Sequence, residues 1–178
     1  MKSRLSVIII TFNRPFTLLR LIKFLISYNL AMQLIILDSS DKIFENIEFN
    51  DLVKKHNIIV KRFPSNIFFT KKIASYCDYI NTDYSVLIPD DDFFFPKSLL
   101  KCVDFLDANP DYCSAHGLYF SHSSYEQTKK SKFSLYQLYK NGRSINEEKS
   151  LERIKKYLCG ESQYYPLYGV HRSKDFKL

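Results

Sequence analysis

An α/β fold with a largely parallel sheet is the class this sequence predicts, and three observations carry it. Short, β-branched apolar runs recur along the chain up to residue 121. Segments of helical period separate them, the alternation expected of βαβ units joined by right-handed crossovers. The first run, Leu5 to Ile10, is continuously apolar apart from Ser6, as a strand buried on both faces is.

The elements follow in order. After the first strand, Thr11-Phe12-Asn13-Arg14 reads as a loop, and Pro15 suits the first turn of a helix continuing through Phe16–Ser27. Gln33 to Leu37 is a second buried strand, ending at Asp38-Ser39-Ser40-Asp41, and Ile58 to Arg62 is a third. Phe69 to Ile80 has helical periodicity. Tyr84 to Ile88 is the fourth strand, Pro96 to Leu106 the next helix, and Tyr112 to Ser121 a fifth strand. The polar and aromatic stretch Ser121 to Ser144 is expected to be irregular. Asn146 to Leu158 is expected to be a helix with Leu151, Ile154 and Leu158 on one side, opened by a capping box of Ser144 and Glu147. No terminal element is expected at Asp175 to Leu178.

Composition narrows the function. The 178 residues suffice for a domain with its own core. Only four glycines occur and none precedes residue 117, so no Gly-rich phosphate loop of the GxGxxG or GxxxxGK[ST] kind is present. The net charge of +7 favours anionic partners. The lysine pairs (54-55, 71-72, 129-130, 155-156) are scattered and form no stripe, which argues against nucleic acid. Cys77, Cys102, Cys113 and Cys159 match neither a redox motif nor a zinc site, and Cys77 and Cys102 read as reduced core residues. Met1 to Ile10 lacks the form of a signal peptide, and Leu18 to Leu30 is too short and too charged, with Arg20 and Lys23, to span a membrane. A cytoplasmic protein is expected, at most peripheral to the inner face of the membrane. The sequence specifies no oligomeric state.

The strongest chemical signal is Asp90-Asp91-Asp92, directly after the fourth strand. Carboxylates at the C-terminal end of a strand lie where α/β sheets bind ligands. Three adjacent like charges call for an offset, and Mg²⁺ or Mn²⁺ supplies one, commonly through one or two carboxylates plus substrate phosphates. The same triplet also reads as an acidic turn before the helix at Pro96.

Four segments in order resemble the family 2-like glycosyltransferases. They are Ser6 to Pro15 (SVIIITFNRP), Leu34 to Ser40 (LIILDSS), Asn66 with Lys71-Lys72, and Leu87 to Asp92 (LIPDDD) followed by Pro96 and Leu99. The resemblance covers roughly residues 3–125. It implies the GT-A fold, a three-layer α/β/α sandwich with a mostly parallel sheet. The whole chain would form one such domain, with 1–125 binding the nucleotide sugar and 126–178 a partial acceptor side. It also implies sugar transfer, with inversion, from a nucleotide-diphosphate donor, a UDP-sugar foremost, to a glycan or lipid-linked acceptor. Thr11, Asn13 and Arg14 would line the base and ribose pocket. Asp38 would accept from base or ribose. Lys71 and Lys72 would face base or diphosphate. Asp90 and Asp92 would hold Mn²⁺ or Mg²⁺, and Asp91 would contact ribose or metal. The catalytic base would be Glu161, after Cys159-Gly160, with Glu147 the second candidate; Glu147 equally reads as part of a solvated Lys/Glu-rich helix. Family domains usually run longer than this chain. A non-catalytic nucleotide- or glycan-binding protein is therefore the alternative. A nucleotidyltransferase ranks below both, for want of the Gly-rich loop.

Overall fold

The computed structural model describes residues 3–125, 132–138, 144–159 and 166–176. They divide into two compact units, residues 117–166 and the remainder.

The larger unit opens with β1 (Leu5–Thr11), α1 (Pro15–Ser27), β2 (Met32–Asp38), α2 (Ile47–Lys55) and β3 (Ile59–Arg62). It continues with α3 (Phe69–Tyr76), β4 (Tyr84–Pro89), α4 (Pro96–Ala108) and β5 (Ser114–Ala115). After the smaller unit the chain returns with β8 (Val170–Arg172) and α6 (Ser173–Phe176). The sheet order is β3-β2-β1-β4-β8-β5. β1, β2, β3 and β4 run parallel, and β8 runs antiparallel to β4 and β5.

The apolar runs are continuous because both faces of the central strands are covered. Val7, Ile9, Leu34, Ile36, Val86 and Ile88 share one core with Leu21, Ile22 and Leu25 of α1, Phe49 of α2 and Val103 and Leu106 of α4. Ile8, Ile35, Leu37 and Leu87 point the other way and meet Tyr76 of α3 and Ile80. Three layers result, and the topology is the expected α/β/α sandwich.

Several boundaries differ from expectation for identifiable reasons. Helix α2 was not foreseen; Asn46 caps it, its side chain accepting from the Phe49 N–H at 2.9 Å. α3 stops at Tyr76 and tightens into a 3-10 turn over Cys77–Tyr79. The expected strand Tyr112 to Ser121 is two pieces: β5 joins the large sheet, while the polar sequence beyond it enters the smaller unit. β8 and α6 replace the featureless terminus. β8 is legible only through its partners, since three residues carry no period.

The smaller unit holds an antiparallel pair, β6 (Tyr119–Tyr125) and β7 (Lys132–Leu138), in register from Tyr119↔Leu138 to Tyr125↔Lys132. It also holds α5 (Ser150–Leu158). This helix begins four residues later than expected, with Lys149 at its cap, so Ser144 and Glu147 form no capping box. Leu151, Ile154 and Leu158 do share one side, and all three are exposed. No disulfide joins the four cysteines, and Cys77 and Cys102 are buried as expected. Among the described residues, no helix is long and apolar enough to cross a membrane.

Candidate active site

The strand order fixes where a ligand can sit. From β1 the chain builds outward to β2 and β3 on one side, then returns to lay β4 on the other. The carboxyl ends of β1 and β4 therefore flank a topological switch point, the usual crevice of an open α/β sheet. Thr11 ends β1, Asp38 ends β2, Arg62 ends β3, and Asp90 follows β4 directly.

These ends are wired together. The Thr11 hydroxyl donates to Asp90 Oδ2 at 2.6 Å, a contact buried from water. Arg14, at the cap of α1, donates through Nη1 to Asp90 Oδ1 at 3.2 Å and also to Asp91. Asp38 accepts from the Ser40 N–H at 2.7 Å and from the Arg62 guanidinium, which also reaches the Ser40 carbonyl at 2.7 Å. Lys72 is buried, 2 % exposed. Its ammonium donates to Ser39 Oγ at 3.0 Å, the Thr11 carbonyl at 3.3 Å and the Leu37 carbonyl at 3.4 Å. Withdrawal from water lowers its proton affinity, and the charges of Asp38 and Asp90 work against that lowering.

The first and second loops are joined by Asn13, whose φ of 55° is left-handed, a conformation Asn tolerates. Its amide N–H donates to Ser40 Oγ at 2.8 Å, its Nδ2 to Asp41 at 2.7 Å, and its Oδ1 accepts the Asp41 N–H at 3.0 Å. The Asn13 and Ser65 side chains hold the Asp41 carboxyl below its ordinary range.

A cleft of about 550 Å³ opens over the switch point. Of the residues expected from sequence, Thr11, Arg14, Lys72, Asp90 and Asp91 line it, beside Ser39 and an aromatic wall of Phe12, Phe68, Phe69 and Tyr168. Asn13 and Asp38 instead line an adjoining recess of about 320 Å³, which shares Thr11. A charged floor under an aromatic wall suits a ligand with an anionic part and a flat part. Lys71 is exposed and lines neither hollow. Asp92 is exposed too and lines neither hollow, and it makes no hydrogen bond or ion pair among the described residues; partial withdrawal from water and then the charge of Asp91 push its carboxyl upward.

The donor set was weighed against Mg²⁺ and Mn²⁺. No group of three or more His, Cys, Asp or Glu side chains is arranged to hold a metal among the described residues. Asp90 has both oxygens engaged, by Thr11 and Arg14, whereas among the described residues Asp92 has no partner and only one Asp91 oxygen is taken. The chemistry of these hard oxygens suits Mg²⁺ or Mn²⁺; Asp91 lies in the cleft and Asp92 next to it in sequence, and a cation there would complete its shell with phosphate and water.

Of the candidate bases, Glu161 lies outside the described residues. Glu147 belongs to the smaller unit, where it pairs with Lys156, and that ammonium holds its carboxyl below the ordinary range. Sequence reasoning missed Arg62, although the rule that pointed to Asp38, a charged residue at a strand's carboxyl end, applied to it equally.

Comparison with known proteins agrees with this architecture. In solved structures the fold resembles TarS residues 1–349 of S. aureus, at 16% identity and a TM-score of 0.51 over 62% of this chain and 33% of that one. It also resembles the mannosyltransferase PcManGT of Pyrobaculum calidifontis, at 13% identity and a TM-score of 0.50 over 64% of this chain and 35% of that one. This chain thus spans about a third of the length of those proteins, and the likeness is one of GT-A fold. No curated protein matches the sequence. The profile of Glycosyl transferase family 2 matches residues 6–165, most of the sequence, and the chain belongs to glycosyl transferase family 2.

Proposed function

We propose that this chain transfers a sugar from a nucleotide-diphosphate donor, a UDP-sugar foremost, to the hydroxyl of a glycan or lipid-linked acceptor. The observation that carries this reading is the convergence of Thr11, Arg14, Lys72, Asp90 and Asp91 on one aromatic-walled cleft at the switch point. PcManGT, which shares the fold, was solved with GDP-Man and Mn²⁺, the same class of ligand.

In this reading the base and ribose lie toward Thr11, Asn13 and Asp38, and the diphosphate toward Lys72 and Arg14, with exposed Lys71 a more distant cation. Asp90 and Asp92 would hold Mn²⁺ or Mg²⁺ together with the donor's phosphates, and Asp91 would contact ribose or metal. When bound, the cation offsets the charge that grows on the departing diphosphate. Transfer is a single displacement: the acceptor oxygen bonds to the anomeric carbon as the bond to the diphosphate oxygen breaks, inverting that centre. The hydroxyl proton passes to a carboxylate, for which we assign Glu161 ahead of Glu147, because Lys156 weakens Glu147 as a base. Residues 1–125 carry the donor part, and from the 126–178 segment Leu167 and Tyr168 reach the same cleft. The protein works on the cytoplasmic side, at most peripheral to the membrane.

Thermal unfolding with UDP, GDP and CMP, each with Mn²⁺ and with EDTA, tests this. A ligand at a hundred times its Kd adds about 2.7 kcal/mol, which raises the Tm of a domain this size by roughly 5–10 °C. One nucleotide should give that shift with Mn²⁺ and lose it with EDTA. In Asp92→Asn the metal-dependent shift should vanish while the ligand-free Tm stays within about 1 °C, since Asp92 makes no contact the fold needs. No shift with any nucleotide would remove the donor site and with it the reading. A shift without turnover of any donor would leave a nucleotide-binding protein.

A further inference from the structure

Arg14 is placed unlike an ordinary surface arginine. One nitrogen, Nη1, serves both Asp90 and Asp91, while Nη2 and Nε donate to no described residue. The side chain is 53% exposed and lines the cleft. It is therefore tethered at one nitrogen beside the cleft, and its remaining donors have no partner among the described residues. Beyond Thr11, which is neutral, Arg14 makes the only side-chain bonds to Asp90 and Asp91 among the described residues.

We infer that Arg14 is the resident counter-ion of the acidic triplet and competes with the divalent cation for Asp90 and Asp91, so that the cation binds weakly until a diphosphate draws Arg14 off them. The inference rests on the metal reading above. A dication and a guanidinium cannot share the same carboxylates without repulsion, and even in a water-like dielectric one extra positive charge a few ångströms away weakens dication binding about tenfold. A diphosphate removes the conflict, since its oxygens accept from the planar fork in pairs and relieve Arg14 of its carboxylate partners. Cation and donor then bind cooperatively: each raises the affinity of the other by the same factor.

The test is Mn²⁺ binding, read from the electron paramagnetic resonance signal of free Mn²⁺. The whole chain is titrated as wild type, Arg14→Gln and Arg14→Lys, without nucleotide and with UDP or GDP. Arg14→Gln should bind Mn²⁺ about tenfold more tightly than wild type without nucleotide, and the gain in affinity on adding nucleotide should shrink. Arg14→Lys keeps the charge and should stay near wild type. The substitution leaves the start of α1 intact, because only the Arg14 backbone carbonyl bonds within it, to the Leu18 N–H at 3.0 Å. Equal or weaker Mn²⁺ binding by Arg14→Gln, with wild type binding Mn²⁺ in the presence of nucleotide, overturns the counter-ion role alone. Absence of Mn²⁺ binding in all three proteins, with and without nucleotide, overturns the metal reading and this inference together.

Discussion

Lys72→Met separates a structural role of the buried amine from a binding one. Methionine roughly preserves the stem's volume while removing the charge and three donors. Two of the three contacts, to the Thr11 and Leu37 carbonyls at 3.3 and 3.4 Å, are long, and the third is to Ser39 Oγ at 3.0 Å. Losing them costs on the order of 1–2 kcal/mol in total. Against that stands the relief of a buried ammonium. Its lowered proton affinity means the cation is less favoured here than in water even with Asp38 and Asp90 nearby. The two effects nearly cancel, and the variant should unfold within about 1 kcal/mol of wild type, or about 0.5 M in urea midpoint.

The pH dependence carries a sign. A lysine whose folded value lies below 10.5 is protonated less in the folded state than in the unfolded one, so its contribution to stability rises with pH between the two values. Wild type should gain on Lys72→Met as pH climbs toward 10.5. Nucleotide-diphosphate affinity, by contrast, should fall about ten- to a hundredfold with the loss of one charged contact. A urea midpoint lowered by more than about 1 M would refute the reasoning and make Lys72 a structural peg.

Other substitutions probe the same wiring. Thr11→Val removes the one hydroxyl that bonds buried Asp90 among the described residues and should destabilise by about 1–3 kcal/mol in urea, with metal-dependent nucleotide binding weakened in parallel. Arg62→Ala frees one Asp38 oxygen at a partly exposed site; about 1 kcal/mol of stability should go, and nucleotide titration calorimetry should show altered preference among UDP, GDP and CMP. Away from the site, Arg4 grips Asp107 through two bonds of 2.8 Å and Tyr84 adds a third at 2.7 Å, which hold the Asp107 carboxyl down at about 2. That stability is present above pH 3.8 and is lost as pH falls toward 2. Solvent screening at this exposed pair limits it to about 1 kcal/mol, readable as the acid-unfolding difference from Asp107→Asn.

What the sequence revealed follows from where information is local. The strands β1, β2 and β4 were plain because burial on both faces writes an unbroken apolar run. Pro15 and Pro96 marked helix starts through backbone geometry alone. Asp38 and the aspartate triplet were visible as charges ending such runs. Arg62 ends β3 in the same way, but its bond to Asp38, a strand away, is not written in any local pattern. α2 was hidden by its thin apolar side, with Phe49 its single buried residue. β5 and β8 have two and three residues, too few for any period, and exist because each completes the other's hydrogen bonding. Lys72 could be named but its burial could not, since nothing in the helix pattern sets a lysine against two strand ends.

The pairing of β4 with β8 bears on how the protein is made. Val86 finds its outer neighbour in Val170, and Tyr84 in Arg172. At ribosomal speeds of about 5–20 residues per second, roughly 4–17 s pass between the synthesis of one strand and the other. Throughout that interval a strand already apolar on both faces presents an open edge to its surroundings or to sister chains on the same message. Premature termination before β8 would make that exposure permanent, so the nascent chain is a natural client for a chaperone until Val170–Arg172 emerge.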